Sequence, residues 1–551
     1  MNRCPISRIL RPLGVYPMVT VATQKTLGAF YTAEPIARFL VEWAIRGPSE
    51  SVLDPSCGDG AFVGAAATRL AELGCEIPQV WGVDLHPGAI TAARSLFPTC
   101  RLVKSDFFAL GPSELPQFDV VVGNPPFIRY QTFSGAARSA ALSRTRDVGV
   151  NLARLSSSWA PFVIHSAAFL RRGGRLAMVV PAELGHAQYA QEVLRFLAQE
   201  FSRIKVCLFR QKLFPHLNED AFLLLAEGRG TECGWFSVSS YENIDAALSG
   251  EDDERPVDLE SVKSGRVRLL HYLLSSRVRG LYRYLREQNC VRRLGDVSDV
   301  GIGYVTGAND FFHVSQEEVA RNRVSSKYLR PAVGSLSKQA GLIFRRSDWE
   351  IGRREGKKSY LLALPPVREQ LLPAGIRSHL DHGRASQIHL RFKCRVRDPW
   401  YSVPHVRKAD AFLSYMSGGR PKLVLNPTGL VAPNTLHLVQ FVERKYVKSV
   451  PAGWCSSLTS LSCEIEGHAL GGGMLKLEPT EAERLLVALP KPADISRLLE
   501  RTDSYLREAR AEEARDLIDR HVLRARLGLS ATECAMLADS AGFLETWRLH
   551  R

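Results

Sequence analysis

No run of apolar residues in this chain approaches the ~18 that a membrane-spanning helix requires, so no membrane span is expected. The 11 cysteines are odd in number and scattered, and no two form a Cys-x-x-Cys pair. That pattern argues against a structural zinc site and against a disulfide framework, and fits free thiols in a reducing cytoplasm. No internal repeat and no low-complexity tract is evident. A nuclease motif is lacking too: Asp258-x-Glu260-x-x-Lys263 has some of the right residue types but no strand and turn around it. The first residues carry arginines without a continuous apolar core or a small-residue cleavage site, so a signal peptide is not expected. Residues 1–24 read as an N-terminal extension, with Met18 as an alternative start that would make 1–17 an untranslated stretch.

What the chain does have is size and an uneven charge. With 551 residues, 45% of them hydrophobic, it can build two or three domains with separate cores. The net charge is +15, but residues 261–450 hold 34 Lys and Arg against 14 Asp and Glu, a balance of +20 that leaves about −5 for the rest. A basic later domain beside a near-neutral earlier one points to a polyanionic partner.

The stretch around which the rest is organised is Gly123-Asn124-Pro125-Pro126-Phe127. It follows Phe118-Asp119-Val120-Val121-Val122, an apolar run with the look of a buried parallel strand. Two prolines directly after a strand end the ladder and fix one turn. The Asn124 side-chain oxygen and the Pro125 carbonyl are then two fixed acceptors able to share an exocyclic amino group, and Phe127 offers a face on which a planar base can stack. Upstream, Ser51-Val52-Leu53-Asp54 leads into Pro55-Ser56-Cys57-Gly58-Asp59-Gly60 and an alanine-rich helix over 61–73. This strand–turn–helix brings backbone close to a ligand, without the G-x-G-x-x-G spacing of dinucleotide sites. Val80-Trp81-Gly82-Val83-Asp84 and the run from Arg101 to Phe108 read as further strands with Asp84 and Asp106 at their ends. Asp84 can accept both hydroxyls of a ribose, Leu85 can pack on an adenine, Asp106 can accept from an adenine amino group, and Phe107 can flank that ring. In a parallel sheet all these strand ends share the edge where ligands bind.

These motifs resemble the class I S-adenosylmethionine-dependent DNA adenine-N6 methyltransferases of gamma type, the Taq-type and Eco57I-type enzymes. The resemblance rests on Asp54-Pro55-x-Cys57-Gly58-x-Gly60-x-Phe62 and on Asn124-Pro125-Pro126-Phe127. Gly28-Ala29-Phe30-Tyr31-Thr32, before a helix over 35–45 that Thr32 can cap, matches the segment that clasps the cofactor in that family. The resemblance implies an α/β fold: a Rossmann-like, seven-stranded methyltransferase domain over 25–245, a linker or helical connection over 246–290, a mixed α+β DNA target-recognition domain over 291–475, and C-terminal helices over 476–551. It implies S-adenosylmethionine as cofactor, held by Phe30, Tyr31, Thr32, Asp54, Cys57, Gly58, Asp84, Leu85, Asp106, Phe107 and Asn124. Catalysis would fall to Asn124, Pro125, Pro126 and Phe127, and Phe214, in the loop between strands read over 204–209 and 221–225, would stack on the second face of an extruded adenine. No metal is implied, because the leaving group is neutral.

After Phe127 an arginine- and serine-rich stretch to Ser158 reads as a mobile loop, followed by a helix from Trp159 through Leu170, a stop turn at Arg172-Gly173-Gly174 and a strand over 175–181. Residues 226–258 read as a linker candidate. Asp299 to Asp310 and the segment from Arg420 to Asn426 resemble parts of Taq-type recognition domains. His389 to Tyr401 interleaves Arg391, Lys393, Arg395 and Arg397 with Phe392, Trp400 and Tyr401, a composition suited to phosphates and stacking. Thr480-x-x-Glu483 and Ser530-x-x-Glu533 read as capping boxes, and 500–526 as charged helix that braces the recognition domain or docks a partner. The expectation is a site-specific methyltransferase acting on N6 of a flipped adenine in double-stranded DNA. It would be the modification component of a restriction-modification system in a bacterial or archaeal cytoplasm, with a separately encoded restriction endonuclease as partner. Two alternatives stay open: an RNA or protein-glutamine N-methyltransferase, and a non-catalytic DNA-binding specificity subunit.

Overall fold

The computed structural model describes residues 32–549 apart from 154, 188, 216–219, 265–267, 338 and 471. The chain divides into two compact units, one up to Leu273 and one from Leu274 onward, a division inside the 246–290 stretch.

The first unit is an α/β domain around a nine-stranded sheet. Its strands are β1 (Val52–Asp54), β2 (Val80–Asp84), β3 (Arg101–Lys104), β4 (Phe118–Gly123), β5 (Leu170–Pro181), β6 (Phe201–Phe209), β7 (Ala221–Arg229), β8 (Trp235–Tyr241) and β9 (Arg255–Pro256), in the order β3-β2-β1-β4-β5-β7-β6-β8-β9. The first five run parallel, and β7 lies antiparallel between β5 and β6. Val120, Val121 and Val122 are fully buried because helices cover both faces of the sheet. Helices Glu34–Ala44, Ala61–Glu72 and Pro87–Leu96 share one apolar cluster with alternate residues of β1, β2, β4 and β5. Trp159–Ala167 and Ala190–Glu200 pack on β5 and β6.

Five local expectations need correction. The 226–258 stretch is no linker: β7 runs to Arg229, and β8 and β9 extend the sheet beyond seven strands. Serines hid β8, since Ser237 and Ser239 are fully buried in it, and the acidic residues that suggested a linker pair with Lys205 through Asp252 and Glu254. The stretch before Ser158 contains a helix, Gly135–Asp147, whose Arg144 donates to the carbonyls of Phe108 and Ala109. The next helix stops at Ala167, and Gly173-Gly174 lies inside β5, where its register on β4 shifts. β3 ends at Lys104, so Asp106 is not on the strand. Finally, Glu34–Ala44 has Ala33 as its N-cap and so no side-chain cap, while Thr32, one residue earlier, accepts from Asn124.

The second unit is mixed α+β. Ser298–Ile302, Leu436–Phe441, Ala411–Ser414 and Leu423–Leu425 form a four-stranded antiparallel sheet, and two three-stranded sheets and a two-stranded ladder accompany it. The C-terminal helices include Ile495–Arg507, Ala511–Ile518 and Ala531–Leu549. Ser530 and Glu533 form the capping box the sequence suggests, but the one near Thr480 uses Glu478 and Glu481, with Pro479 in the first turn. Asp258 caps Leu259–Lys263 through the Ser261 N–H, which accounts for the nuclease-like spacing. Among the described residues no helix is long and apolar enough to cross a membrane.

Candidate active site

The turn after β1 is held by carboxylates. Gly58 adopts a φ of +51°, where a Cβ would be strained, and its N–H donates to Asp84 Oδ2 at 2.9 Å. Asp84 Oδ1 accepts from the His86 N–H at 2.7 Å, so the acid at the end of β2 joins two loops at the sheet edge. Asp54 is buried, with Oδ1 accepting from the Ser56 N–H at 3.1 Å and Oδ2 left without a hydrogen-bond partner. Burial, opposed by the Ser56 N–H and reinforced by the charges of Asp84 and Asp59, holds the Asp54 carboxyl well above the usual carboxylate range. Burial also raises Asp59. Three acids around one turn, one with an orphaned oxygen, suit a ligand carrying positive charge. Cys57 is buried, its N–H on the Val83 carbonyl at 2.9 Å and its Sγ against Gly82, where a Cβ would meet it at 2.9 Å. The visible role of Cys57 is to pin the turn on β2. Leu85, 65% exposed, can receive a flat ring.

Asp106 caps the short 3-10 turn Phe107–Ala109 by accepting from the Phe108 N–H at 3.0 Å. Phe107 is deep in an aromatic cluster, with ring centroids 4.9 Å from Phe162, 4.7 Å from His165 and 5.1 Å from Phe169. His165 Nε2 lies 2.9 Å from the Leu110 carbonyl, and burial pushes this imidazole down to about 4, keeping it neutral.

The turn after β4 leans on the turn after β1. A Cβ on Gly123 would come within 2.8 Å of Asp54 Oδ1, so this position accepts no side chain without displacing that carboxyl. Asn124 Nδ2 donates to Thr32 Oγ1 at 3.2 Å, which turns the amide so that Oδ1 is the acceptor end. Its backbone carbonyl accepts from the Ser56 hydroxyl at 3.1 Å. Ser158, buried and 32 residues beyond Pro126, donates its hydroxyl to the Pro126 carbonyl. The same oxygen accepts from the Ile128 N–H at 2.8 Å, and the Ser158 N–H donates to the Ile128 carbonyl at 3.0 Å. Phe127 is half-buried and packs on the apolar cluster that contains Phe214. The loop bearing Phe214 is closed at its base by a nearly buried Lys212–Asp220 ion pair. Burial lowers Lys212 despite that partner.

Thus Thr32, Asp54, Cys57, Gly58, Asp84, Asn124 and Phe127 are joined through hydrogen bonds or packing at one sheet edge. Phe30 and Tyr31 lie outside the described residues. Sequence reasoning missed Ser56 and Ser158 as supports, since their partners Asn124 and Pro126 lie far from them in sequence. It also missed a knot at the end of β5, where Trp159 Nε1–H donates to Glu183 Oε2 at 3.2 Å and to the Tyr189 hydroxyl at 2.8 Å. Its only sequence signal is Pro181-Ala182-Glu183 directly after a strand.

In the second unit, several residues suited to DNA turn out to be structural. Asn426 is buried and donates to the carbonyls of Ala409 and Leu430 at 2.9 and 3.0 Å, so it is not available to a base edge. Arg397 donates to the Thr306 carbonyl at 2.9 Å, Trp400 packs on Phe311, and Tyr401 is buried.

Two family models match the chain: "N-6 DNA Methylase" over residues 16–195 and "Type II methyltransferase M.Eco57I, C-terminal domain" over 267–523. Type II methyltransferase M.AccI of Acinetobacter calcoaceticus is 19% identical over 488 residues, covering 85% of this chain and 86% of that protein. Type II methyltransferase M.XamI of Xanthomonas campestris pv. amaranthicola is 22% identical over 483 residues, covering 84% and 85%. The solved structure of the Type IIL restriction-modification enzyme MmeI in complex with DNA shares the fold, with a TM-score of 0.55 at 12% identity over 96% of this chain and 80% of that one.

Proposed function

We propose a residue-level mechanism for this chain from the premise that it belongs to the N6-adenine DNA methyltransferases of restriction-modification systems. The chain is an adenine-specific DNA methyltransferase. The methyl donor on this reading is S-adenosylmethionine, which when bound supplies an electrophilic methyl group on a cationic sulfur. Asp54, Asp84, Gly58, Leu85 and Asp106 would hold it, with Phe107, buried among Phe162, His165 and Phe169, supporting the turn that carries Asp106. What supports the fit is the unpartnered Asp54 Oδ2 within a cluster of acids.

Asn124 Oδ1 and the Pro125 carbonyl accept the two hydrogens of the adenine amino group. That turns the nitrogen lone pair out of the ring and toward the donor, so the chemistry is orientation and desolvation rather than covalent catalysis. Phe127 and Phe214 stack on the extruded base, which offsets an unstacking cost of a few kcal/mol. Thr32 keeps the Asn124 amide in the accepting orientation, and Ser56 and Ser158 hold the backbone of the turn. The single observation that carries this reading is the seating of the Asn124 turn on Asp54 through Gly123.

The basic second unit would grip the duplex. A separately encoded endonuclease would be the partner, and the cytoplasm of a bacterial or archaeal cell the setting. The test is methyl transfer from labelled S-adenosylmethionine to duplex DNA, RNA and protein in parallel, with calorimetry of cofactor binding. Label in DNA alone is expected. Label in RNA or protein alone, or no cofactor binding, would overturn the reading.

A further inference from the structure

The segment from Leu390 to Val396 divides sharply by exposure. Cys394 is fully buried, with Sγ against the Thr306 carbonyl at 3.6 Å, and Arg397 donates to that same carbonyl. A Cβ on Gly307 would come within 2.7 Å of the Lys393 Cβ, so the segment is seated closely on its support. From this anchored base Phe392 projects with 61% of its surface exposed, flanked by Leu390 at 56% and Val396 at 63%. Three large apolar side chains this exposed within seven residues are costly in water and call for a partner. The cations around them indicate which partner. Lys393 Nζ and the Arg395 guanidinium each lie 5.5 Å from the Phe392 ring centroid, and Arg391 is exposed beside them. None of the three cations has a carboxylate partner among the described residues.

We infer that Leu390, Phe392 and Val396 form an apolar wedge that enters a groove of duplex DNA, with Phe392 inserted at a base step and Arg391, Lys393 and Arg395 on the flanking phosphates. The inference rests on the DNA-binding reading of the second unit and adds to it the element that deforms the duplex. Partial unstacking by an apolar side chain kinks and unwinds DNA, and cations alone do not reproduce it. Phe392 is therefore the residue of deformation, and the three cations are residues of affinity. An anionic membrane would also take an aromatic among cations, but the rigid seat on the Thr306 carbonyl and the +20 balance of 261–450 favour a rigid polyanion.

The experiment uses the full chain, a relaxed closed-circular plasmid and topoisomerase, alongside duplex binding across a salt series. Wild type, F392A, F392W and R391Q are compared, each first checked for an unchanged thermal unfolding midpoint. F392A is expected to bind about 5- to 150-fold more weakly, to keep the salt slope, and at saturation to lose most of the unwinding. F392W should restore both. R391Q should lower the salt slope by about 1 and keep the unwinding per bound protein. F392A with wild-type affinity and unwinding would overturn the wedge, as would equal Phe392-dependent binding to phosphatidylserine vesicles. Wild-type chain that binds no duplex at any salt would instead overturn the DNA-binding reading itself.

Discussion

At the scale of single residues, the site is a set of short bonds spanning long sequence distances. Ser158 carries two of them, to Pro126 and Ile128 on the catalytic turn. Removing its hydroxyl leaves the carbonyl of half-buried Pro126 and the N–H of half-buried Ile128 without that partner, a cost of up to about 1–3 kcal/mol. S158A is therefore expected to lower kcat about tenfold or more, with KM for S-adenosylmethionine unchanged; steady-state kinetics with both substrates checks this, and an unchanged kcat would remove Ser158 from the account. Asp54 makes a different prediction. Its folded-state carboxyl titrates above the ordinary 3.8, so its stabilising contribution is complete below that pH and is lost as pH rises through the folded value. D54N is expected to lack this decline in urea unfolding of the free protein across acidic to neutral pH, and to lose cofactor affinity in calorimetry. Asp54 and Asn124 were legible in the sequence because their motifs are contiguous. Ser158 was not, because a serine 32 residues from its partner leaves no local pattern.

At the scale of elements, the strands that carry the site were legible from apolar runs ending in Asp or Asn. Two kinds of element were not. β8 is built partly from buried serines satisfied by Asp252 and the β6 backbone, so its polarity mimics a linker. Gly135–Asp147 shows little amphipathic pattern, and what fixes it is Arg144 on the Phe108 and Ala109 carbonyls. The helix Trp159–Ala167 also leans on that turn, through His165. His165 is held neutral at about 4, against an ordinary 6.5. Its stabilising contribution is present above pH 6.5 and lost as pH falls toward 4, because the unfolded chain takes up the proton first. H165Q is expected to flatten unfolding free energy of the first unit in that window. Circular dichroism in urea at several pH values checks it, and a profile as steep as wild type would contradict it.

At the scale of the whole molecule, the second unit holds a polar network that spans distant parts of its sequence. In the second unit Asp503, with its side chain fully buried, accepts from the Ile343 N–H at 3.1 Å and from Arg345 and Arg507 at 2.6 and 2.9 Å, and Arg507 grips Asp348 with two 2.9 Å bonds. These bonds tie the helix Ile495–Arg507 to the segment 343–348. Burial would raise Asp348, but the bonds from Arg507 and the Arg345 N–H hold it below the usual range. R507M leaves Asp503 buried with one guanidinium fewer and should cost the second unit about 3 kcal/mol, read as a lower unfolding midpoint of that unit. The network joins residues some 160 positions apart, which is why charge pattern alone suggested a brace but not its partners.

The measurement that most directly tests the central claim is long-read sequencing for modified bases in DNA from cells that express this chain, beside cells expressing N124A. N6-methyladenine is expected at one sequence motif with the wild-type chain and none at that motif with N124A. The same motif methylated by N124A would contradict the role of Asn124, and no methylated motif with the wild-type chain would contradict the assignment of DNA as its substrate.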